Sequence, residues 1–326
     1  MHKRRLNEWI LHVLIEPDGP VLIKSGTESG ADPTLPAMNF VRTNHPITGE
    51  RTIYLPGSSL KGAIRSHTER IIRTVHGDDP DICCNPLDKE SSCGKRCQHI
   101  ASTAAQYRKL CLACRIFGHT VQAGHLATAD AYPADAIDTL PVRHQVAIDR
   151  LSGGVAFGPF DLEVALEGQF ETHIRLTNFE RWQVGLLALA LRDMAEGRLL
   201  LGYGKSRGLG RVKVHFGRLE IAYPGRFEAG DVDRTLYGVG ALAPDLVTDY
   251  DYVSDDKDTF PVTGTLVPDS AGWGRPAVRF GIVQDGALAK VAHDVLEQAH
   301  RVITAVLAST VQAWAEYVPD QGGDHA

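Results

Sequence analysis

Residues Leu6 to Lys24 (LNEWILHVLIEPDGPVLIK) alternate polar and apolar around Pro17-Asp18-Gly19. Period-two alternation broken by a Pro-Asp-Gly turn predicts two strands in a hairpin. A segment rich in Gly, Pro, Thr and Asn follows from Ser25 to Arg51, and a loop of that length in a compact domain points to function. Pro56-Gly57-Ser58-Ser59 then stops the chain and starts it again, with serine as the available N-cap. Leu60, Ile64, Ile71, Ile72 and Val75 recur at helical spacing and give that helix one buried face.

Further along, His125 to Ala131 reads as a strand. Val142 to Asp149 and Pro159 to Glu167 read as the arms of a long hairpin with Arg150-Leu-Ser-Gly-Gly154 at its projecting tip. Gln169 to Leu176 is a strand, Phe179 to Glu196 an apolar-striped helix, Leu199 to Leu201 a short strand and Arg211 to Tyr223 an alternating strand. This order of strands and helices predicts an α+β fold with a ferredoxin-like (RRM-like) core carrying insertions. Pro224 to Thr259 reads as an acidic linker or loop layer, Asp285 to Tyr317 as a long helix, and Asp320 to Ala326 as a frayed end.

With 326 residues and 43% hydrophobic side chains, the chain can bury a substantial core, as one domain with insertions or as two small domains. The N-terminal residues run straight into the strand pattern with no signal-peptide core, and no stretch would span a membrane, so a cytoplasmic location is expected. A net charge of −6 speaks against a nucleic-acid binder. Its distribution does not. Gly57 to Val75 holds four bases (Lys61, Arg65, Arg70, Arg73) against one acid, and Leu200 to Phe216 holds four (Lys205, Arg207, Arg211, Lys213) against none. The acids collect later, nine against three bases from Arg226 to Phe260. Basic stripes on an acidic protein are where a nucleic-acid contact would lie.

Lys61 and Arg65 are four apart on one helix face, near a helix start where backbone N–H groups attract anions. The plain alternative is a solvated basic face. The glycine-rich stretch Gly202-Tyr-Gly-Lys-Ser-Arg-Gly-Leu-Gly210 is followed by a strand rather than a helix, so it is neither a dinucleotide fingerprint nor a P-loop. It remains a loop whose backbone can approach a phosphodiester, with Lys205, Ser206, Arg207 and Arg211 on or beside it, or else a bare turn with surface charges.

All six cysteines fall between Cys83 and Cys114. So tight a cluster in a reducing compartment points to structural zinc, with buried free thiols or a redox pair as alternatives. Cys111-Leu-Ala-Cys114 supplies two ligands from one turn; Cys97 and either Cys84 or Cys93 complete the set, with His99 in reserve. No His-x-Glu partner accompanies the thiols, which disfavours catalytic zinc.

Three segments together resemble the RAMP superfamily of CRISPR proteins, specifically the repeated backbone subunit of type III and related effectors. They are Tyr54-Leu-Pro-Gly-Ser-Ser-Leu-Lys-Gly-Ala-Ile-Arg65, Val146-Ala-Ile-Asp-Arg-Leu-Ser-Gly-Gly154 and Leu201-Gly-Tyr-Gly-Lys-Ser-Arg-Gly-Leu-Gly-Arg-Val212. With Cys111-Leu-Ala-Cys-Arg-Ile-Phe-Gly118 added, the chain is similar to the zinc-containing backbone subunits of type III-D and type VII systems. The resemblance implies copies stacked along a CRISPR RNA, with further effector subunits and, in type VII, a separate β-CASP nuclease as partners. Ser58, Ser59, Lys61 and Arg65 would hold guide phosphates, and Lys205, Ser206, Arg207 and Arg211 the same strand. Arg143 to Gly154 would be a thumb, Arg143 and Arg150 contacting RNA and Val146 and Ile148 wedging between guide and target RNA.

The resemblance spans about residues 5 to 223, so the expected division is residues 1–223, a core with a zinc insertion at 77–118 and a thumb hairpin at 140–165, and residues 224–326, an acidic loop layer and C-terminal helix outside the resemblance. Where cutting members of the family carry an Asp in the loop before Pro56, this chain has Ala37; the central acid of that loop is Asp32, with Glu28 and Glu50 toward its ends. The expectation is a subunit that binds target RNA without cutting it. The alternatives are an Mg²⁺-dependent endoribonuclease using Asp32, a guide-processing ribonuclease using His67 or His144, and a structural adaptor without RNA contact.

Overall fold

The structure, a computed structural model, describes residues 3–26, 38–88, 90–137, 139–224, 235–254, 257–262, 265–267 and 277–317. Its first half contains β1 (Glu8–Pro17), β2 (Arg42–Asn44), β3 (Arg51–Ile53), α1 (Gly57–His76), α2 (Cys93–Cys97), α3 (Thr103–Arg108) and α4 (Leu112–Phe117). Then come β4 (Leu126–Thr128), β5 (Tyr132–Pro133), β6 (Val142–Ile148), β7 (Val155–Glu163), β8 (Phe170–Thr177), α5 (Arg181–Ala195) and β9 (Val212–Ala222). The remainder is β10 (Thr235–Tyr237), α6 (Val239–Leu242), α7 (Pro244–Tyr250), β11 (Thr259–Pro261), β12 (Thr265–Val267), β13 (Ala277–Gly281) and α8 (His293–Glu316).

An antiparallel sheet in the order β12-β13-β9-β1-β8-β4, with β5 also on β8, forms the centre of this α+β protein. β1 lies in its middle because its alternation sends Trp9, Leu11, Val13 and Ile15 to one face, all essentially inaccessible to solvent. Leu14 is buried on the other face beneath Leu288 and Leu296, so the end of β1 reads as a continuous apolar run. A bulge between His12 and Val13 leaves Gly217 of β9 unpaired, and a side chain there would collide with Leu288 Cδ2 at 2.4 Å.

α1 and α5 cover the Trp9 face of the sheet. α5 is buried on almost every side because α8 packs over it so closely that a Cβ on Gly185 would lie 2.2 Å from Thr310 O. α8 begins at His293, after a 3-10 turn at Leu288–Lys290, rather than at Asp285.

Three local expectations are not met. After β1 the chain does not return as a second strand. Val21 instead exchanges hydrogen bonds with Ala165, and Val41 N–H donates to Ile23 O. Leu199 to Leu201 is not a strand either; Leu201 N–H donates to Gly210 O, closing the glycine loop on itself. The acidic stretch, read as a linker or loop layer, is no solvated linker, since its described residues bury Leu236, Val239, Tyr250 and Tyr252. Asp258, fully buried, accepts the Arg181 N–H at 2.7 Å and the Gly240 N–H at 2.8 Å, capping α5 from that segment. The neighbouring Glu180, also buried, accepts from Val253 N–H at 2.8 Å, and burial pushes its carboxyl up to about 7.

The serine N-cap is likewise replaced. Pro56 is the N-cap of α1, and the Gly57 N–H donates to Asp130 Oδ1 at 2.7 Å. The helix start thus packs on β4 so tightly that a Cβ at Gly57 would sit 2.2 Å from Thr128 O. Gly57→Ala should therefore cost about 1–3 kcal/mol through overpacking, measured as a lowered denaturation midpoint at constant m; an unchanged midpoint would show that β4 gives way.

Candidate nucleic-acid interface and metal centre

α1 turns three faces to three surroundings. Leu60, Ile64 and Ile72 enter the core. Ser59, Gly62 and Ser66, at helical spacing, floor a groove of 340 Å³ whose opposite wall is Gly202, Tyr203 and Lys205 of the glycine loop, with Lys24 at its side. Arg65, Glu69 and Arg73 face the cysteine insertion across a second cleft of 720 Å³.

The glycine loop is held by the segment that follows β1: Tyr203 N–H donates to Leu22 O and Gly210 N–H to Pro20 O, both at 2.8 Å. That approach needs glycine at position 202, where φ is +73° and a Cβ would lie 2.2 Å from Leu22 O. The loop then makes one 3-10 turn, Lys205–Arg207, which exposes Lys205, Ser206 and Arg207.

Cations gather here without acids. Lys24 Nζ lies 5.9 Å and the Arg207 guanidinium 4.9 Å from the Tyr203 ring centroid. Burial, and then the like charge of Arg70, pull the Lys205 ammonium below its ordinary range. Lys61 is lowered by burial and by Arg65. No acidic side chain lines the groove among the described residues. A polyanion bound there would relieve rather than add to the electrostatic cost of these groups.

The sequence-derived candidates divide. Ser59 and Lys205 line the groove, Ser58 is exposed at the start of α1, and Arg207 reaches from the loop to Gln145 Oε1 on β6 at 3.1 Å. Arg211 lies off the groove, paired with Asp18 at 2.8 Å. Arg65 faces the cysteines and is taken up below. Lys24, Gly62, Ser66 and Tyr203 are additional groove residues; the signal for the floor was the stripe of small residues at 59, 62 and 66 on the helix.

β6 and β7 form a separate two-stranded hairpin. Arg143, Ile148 and Arg150 are exposed on it, with Val146 at 43% and Phe157 at 72% exposure. Asp149 Oδ1 accepts the N–H groups of Leu151 and Ser152 and shapes the tip, where Leu151 is 98% exposed. Apolar side chains this exposed on a projecting hairpin are the mark of an interaction surface, flanked here by Arg143 and Arg150 on one hand and Asp149 and Asp161 on the other. His67 and His144 each face a carboxylate, Asp193 at 2.7 Å and Asp161 at 2.6 Å. Asp32, Glu28 and Ala37 lie outside the described residues.

The insertion brings Cys84, Cys93, Cys111 and Cys114 together, all buried, with their sulfurs within 4.8 Å of one another. Cys84 Sγ is 3.6 Å from Cys111 Sγ and 3.7 Å from Cys114 Sγ. Four thiolates around tetrahedral zinc, with bonds of about 2.3 Å, would stand roughly 3.8 Å apart, so the set fits the ion. Cys84 and Cys93 thus both join the Cys111/Cys114 pair, and Cys97 does not. Cys97 donates to Gln106 O at 3.9 Å, and burial raises its thiol. Cys83 donates to Glu69 O at 3.8 Å and is pushed up to about 12 by burial, so it stays neutral.

Two of the four sulfurs accept from donors outside the set of thiols. Arg96 Nη2 reaches Cys93 Sγ at 3.3 Å, Arg65 Nη2 reaches Cys114 Sγ at 3.5 Å, and Cys111 N–H donates to Cys93 Sγ at 3.3 Å. Four protein ligands leave no open position; zinc held there would cross-link the insertion rather than react. Cys84→Ser and Cys93→Ser are each expected to lose metal on purification while Cys97→Ser keeps it, as read by elemental analysis. Metal loss from Cys97→Ser alone would reverse the ligand assignment.

The family model described as the RAMP superfamily matches residues 15–213. That span runs from the end of β1 through the groove helix, the four cysteines, the hairpin and the glycine loop into β9. A comparison with curated proteins finds no match. No helix among the described residues is long and apolar enough to cross a membrane. The groove, the hairpin and the glycine loop therefore belong to a protein of the RAMP superfamily, whose members generally bind CRISPR RNA.

Proposed function

We propose that this chain is a CRISPR RNA-binding backbone subunit, similar to those of type III-D and type VII effectors, whose copies line up along the guide and help bind complementary target RNA without cutting it. The observation that carries the reading is the acid-free groove in which α1 and the glycine loop, the two basic segments of an acidic chain, come together. Phosphates of a single strand would pass over Gly62, between Lys24 and Lys205, with the Ser59 and Ser66 hydroxyls as donors. Glycine at 62, with open space where a Cβ would be, lets the strand lie against the helix backbone.

The strand order β9-β1-β8-β4, with α1 and α5 on one face, supports a ferredoxin-like core over residues 1–223, with the insertion at 77–118 and the hairpin at 140–165 as its additions. The hairpin acts as a thumb: its exposed Val146, Ile148 and Phe157 would wedge between guide and target, and Arg143 and Arg150 would contact their backbones. Structural zinc holds the insertion. The described residues between 235 and 317 pack on α5 and the insertion and, with other effector subunits, would complete the assembly in the cytoplasm. Absence of cutting rests on Ala37 standing where an acid is expected; in type VII systems a separate β-CASP nuclease would cut.

Nucleic acid that co-purifies with the chain tests the reading directly. CRISPR-repeat-derived RNA is expected, and a preparation free of RNA would count against it. Lys24→Ala and Lys205→Ala should each weaken RNA binding and reduce the slope of log K against log salt by about 0.7, the loss of one phosphate contact on a single strand. Unchanged slopes would remove the groove from the RNA path. Assembled complex incubated with target RNA and Mg²⁺ should give no products at regular spacing; such products would replace binding alone with metal-assisted cutting.

A further inference from the structure

One side chain, Arg65, joins the groove helix to the cysteine centre. Its Nε donates to Glu69 Oε1 at 2.8 Å, its Nη1 to Gly118 O at 2.9 Å and its Nη2 to Cys114 Sγ at 3.5 Å. The same guanidinium lies 6.0 Å from the Phe117 ring centroid. Each nitrogen of this planar fork thus has a partner, and these partners belong either to α1 or to the segment carrying Cys111 and Cys114. About two helical turns on, Arg73 Nη2 donates to Cys84 O at 3.0 Å, so α1 reaches the centre twice, at two of its ligands.

Arg65 lies between Gly62 and Ser66, the floor of the groove, and Gly62 and Ser66 also line the cleft that Arg65 occupies. Four thiolates around one divalent ion leave about two negative charges in a buried site. A fixed cation beside Cys114 offsets part of that charge, and the same cation fixes the position of α1 relative to α4. Without the ion nothing holds the four sulfurs together, so Cys114 is no longer a fixed acceptor for Arg65, and this tie on α1 slackens.

We propose that Arg65 is a positioning residue that couples metal occupancy of the cysteine centre to the RNA grip of α1. This rests on the RNA-binding reading given above. Coupling of this kind is reciprocal: metal loss weakens RNA binding, and bound RNA holds the metal by the same factor.

The test uses the full chain loaded with zinc, a labelled single-stranded RNA of mixed sequence, and a chromogenic chelator. Arg65→Gln is expected to lose zinc about tenfold more readily, the usual scale for a partner of a metal ligand, and to bind RNA more weakly with an unchanged salt slope. Arg65→Lys keeps the charge without the fork and should shift both readouts in the same direction, which guards against a folding defect peculiar to the neutral variant. Lys205→Ala should reduce the salt slope and leave zinc release from the RNA-free chain as in the wild type. Bound RNA should slow zinc release from the wild type but not from Arg65→Gln.

Two results overturn the coupling. A reduced salt slope with normal zinc release in Arg65→Gln would make Arg65 a direct phosphate ligand. Faster zinc release with undiminished RNA affinity would make the centre independent of the groove. A wild-type chain that binds no RNA at all would remove the RNA reading and the coupling together, and is told apart from both by the wild-type titration alone.

Discussion

Two backbone hydrogen bonds, Tyr203 N–H to Leu22 O and Gly210 N–H to Pro20 O, decide where the glycine loop lies. They can form only because Gly202 presents no Cβ to the Leu22 carbonyl. Through them the loop is fixed to the segment leaving the central strand, and Lys205 and Tyr203 are set opposite the small residues of α1. The groove is therefore a product of backbone geometry, with side chains supplying charge afterwards. That division suits recognition of a phosphodiester chain, which repeats regularly and needs positioned donors more than a shaped pocket.

The elements legible in the sequence were those with a strong period. β1, β8, β9 and α1 each bury a face against the same core, and α5 is buried on almost every side, so their apolar spacing reports their structure. Where the backbone is paired by residues far along the chain, no local pattern could announce it. Pro20 to Lys24 looked like the second arm of a hairpin, yet its partners are Ala165 and residues 39 to 41. The acidic stretch concealed its role differently. Asp258 is buried because it caps α5, and Tyr250 and Tyr252 pack against Tyr107 of the insertion, so charge that suggested solvent belongs partly to the core.

The candidate site was legible as two segments but not as a surface. Lys61 and Arg65 share a helix face in sequence, and that reading is correct as geometry; what it missed is the direction in which the face points. Arg65 turns to Glu69 and Cys114, while the neighbouring face, marked only by Ser59, Gly62 and Ser66, opens onto the groove. The cysteines show the same limit. Spacing identified Cys111 and Cys114, but the choice among the other four depended on how α2 packs, which places Cys93 at the centre and turns Cys97 toward Gln106.

The central claim is that RNA runs between α1 and the glycine loop. Photo-cross-linking of the chain to RNA carrying 4-thiouridine, followed by mass spectrometry of the attached peptides, tests it most directly. Cross-links to Tyr203 and to peptides covering residues 57–73 and 201–211 are the predicted result. Cross-links confined to the opposite face of the sheet, around His12, His173 and Arg175, would contradict it.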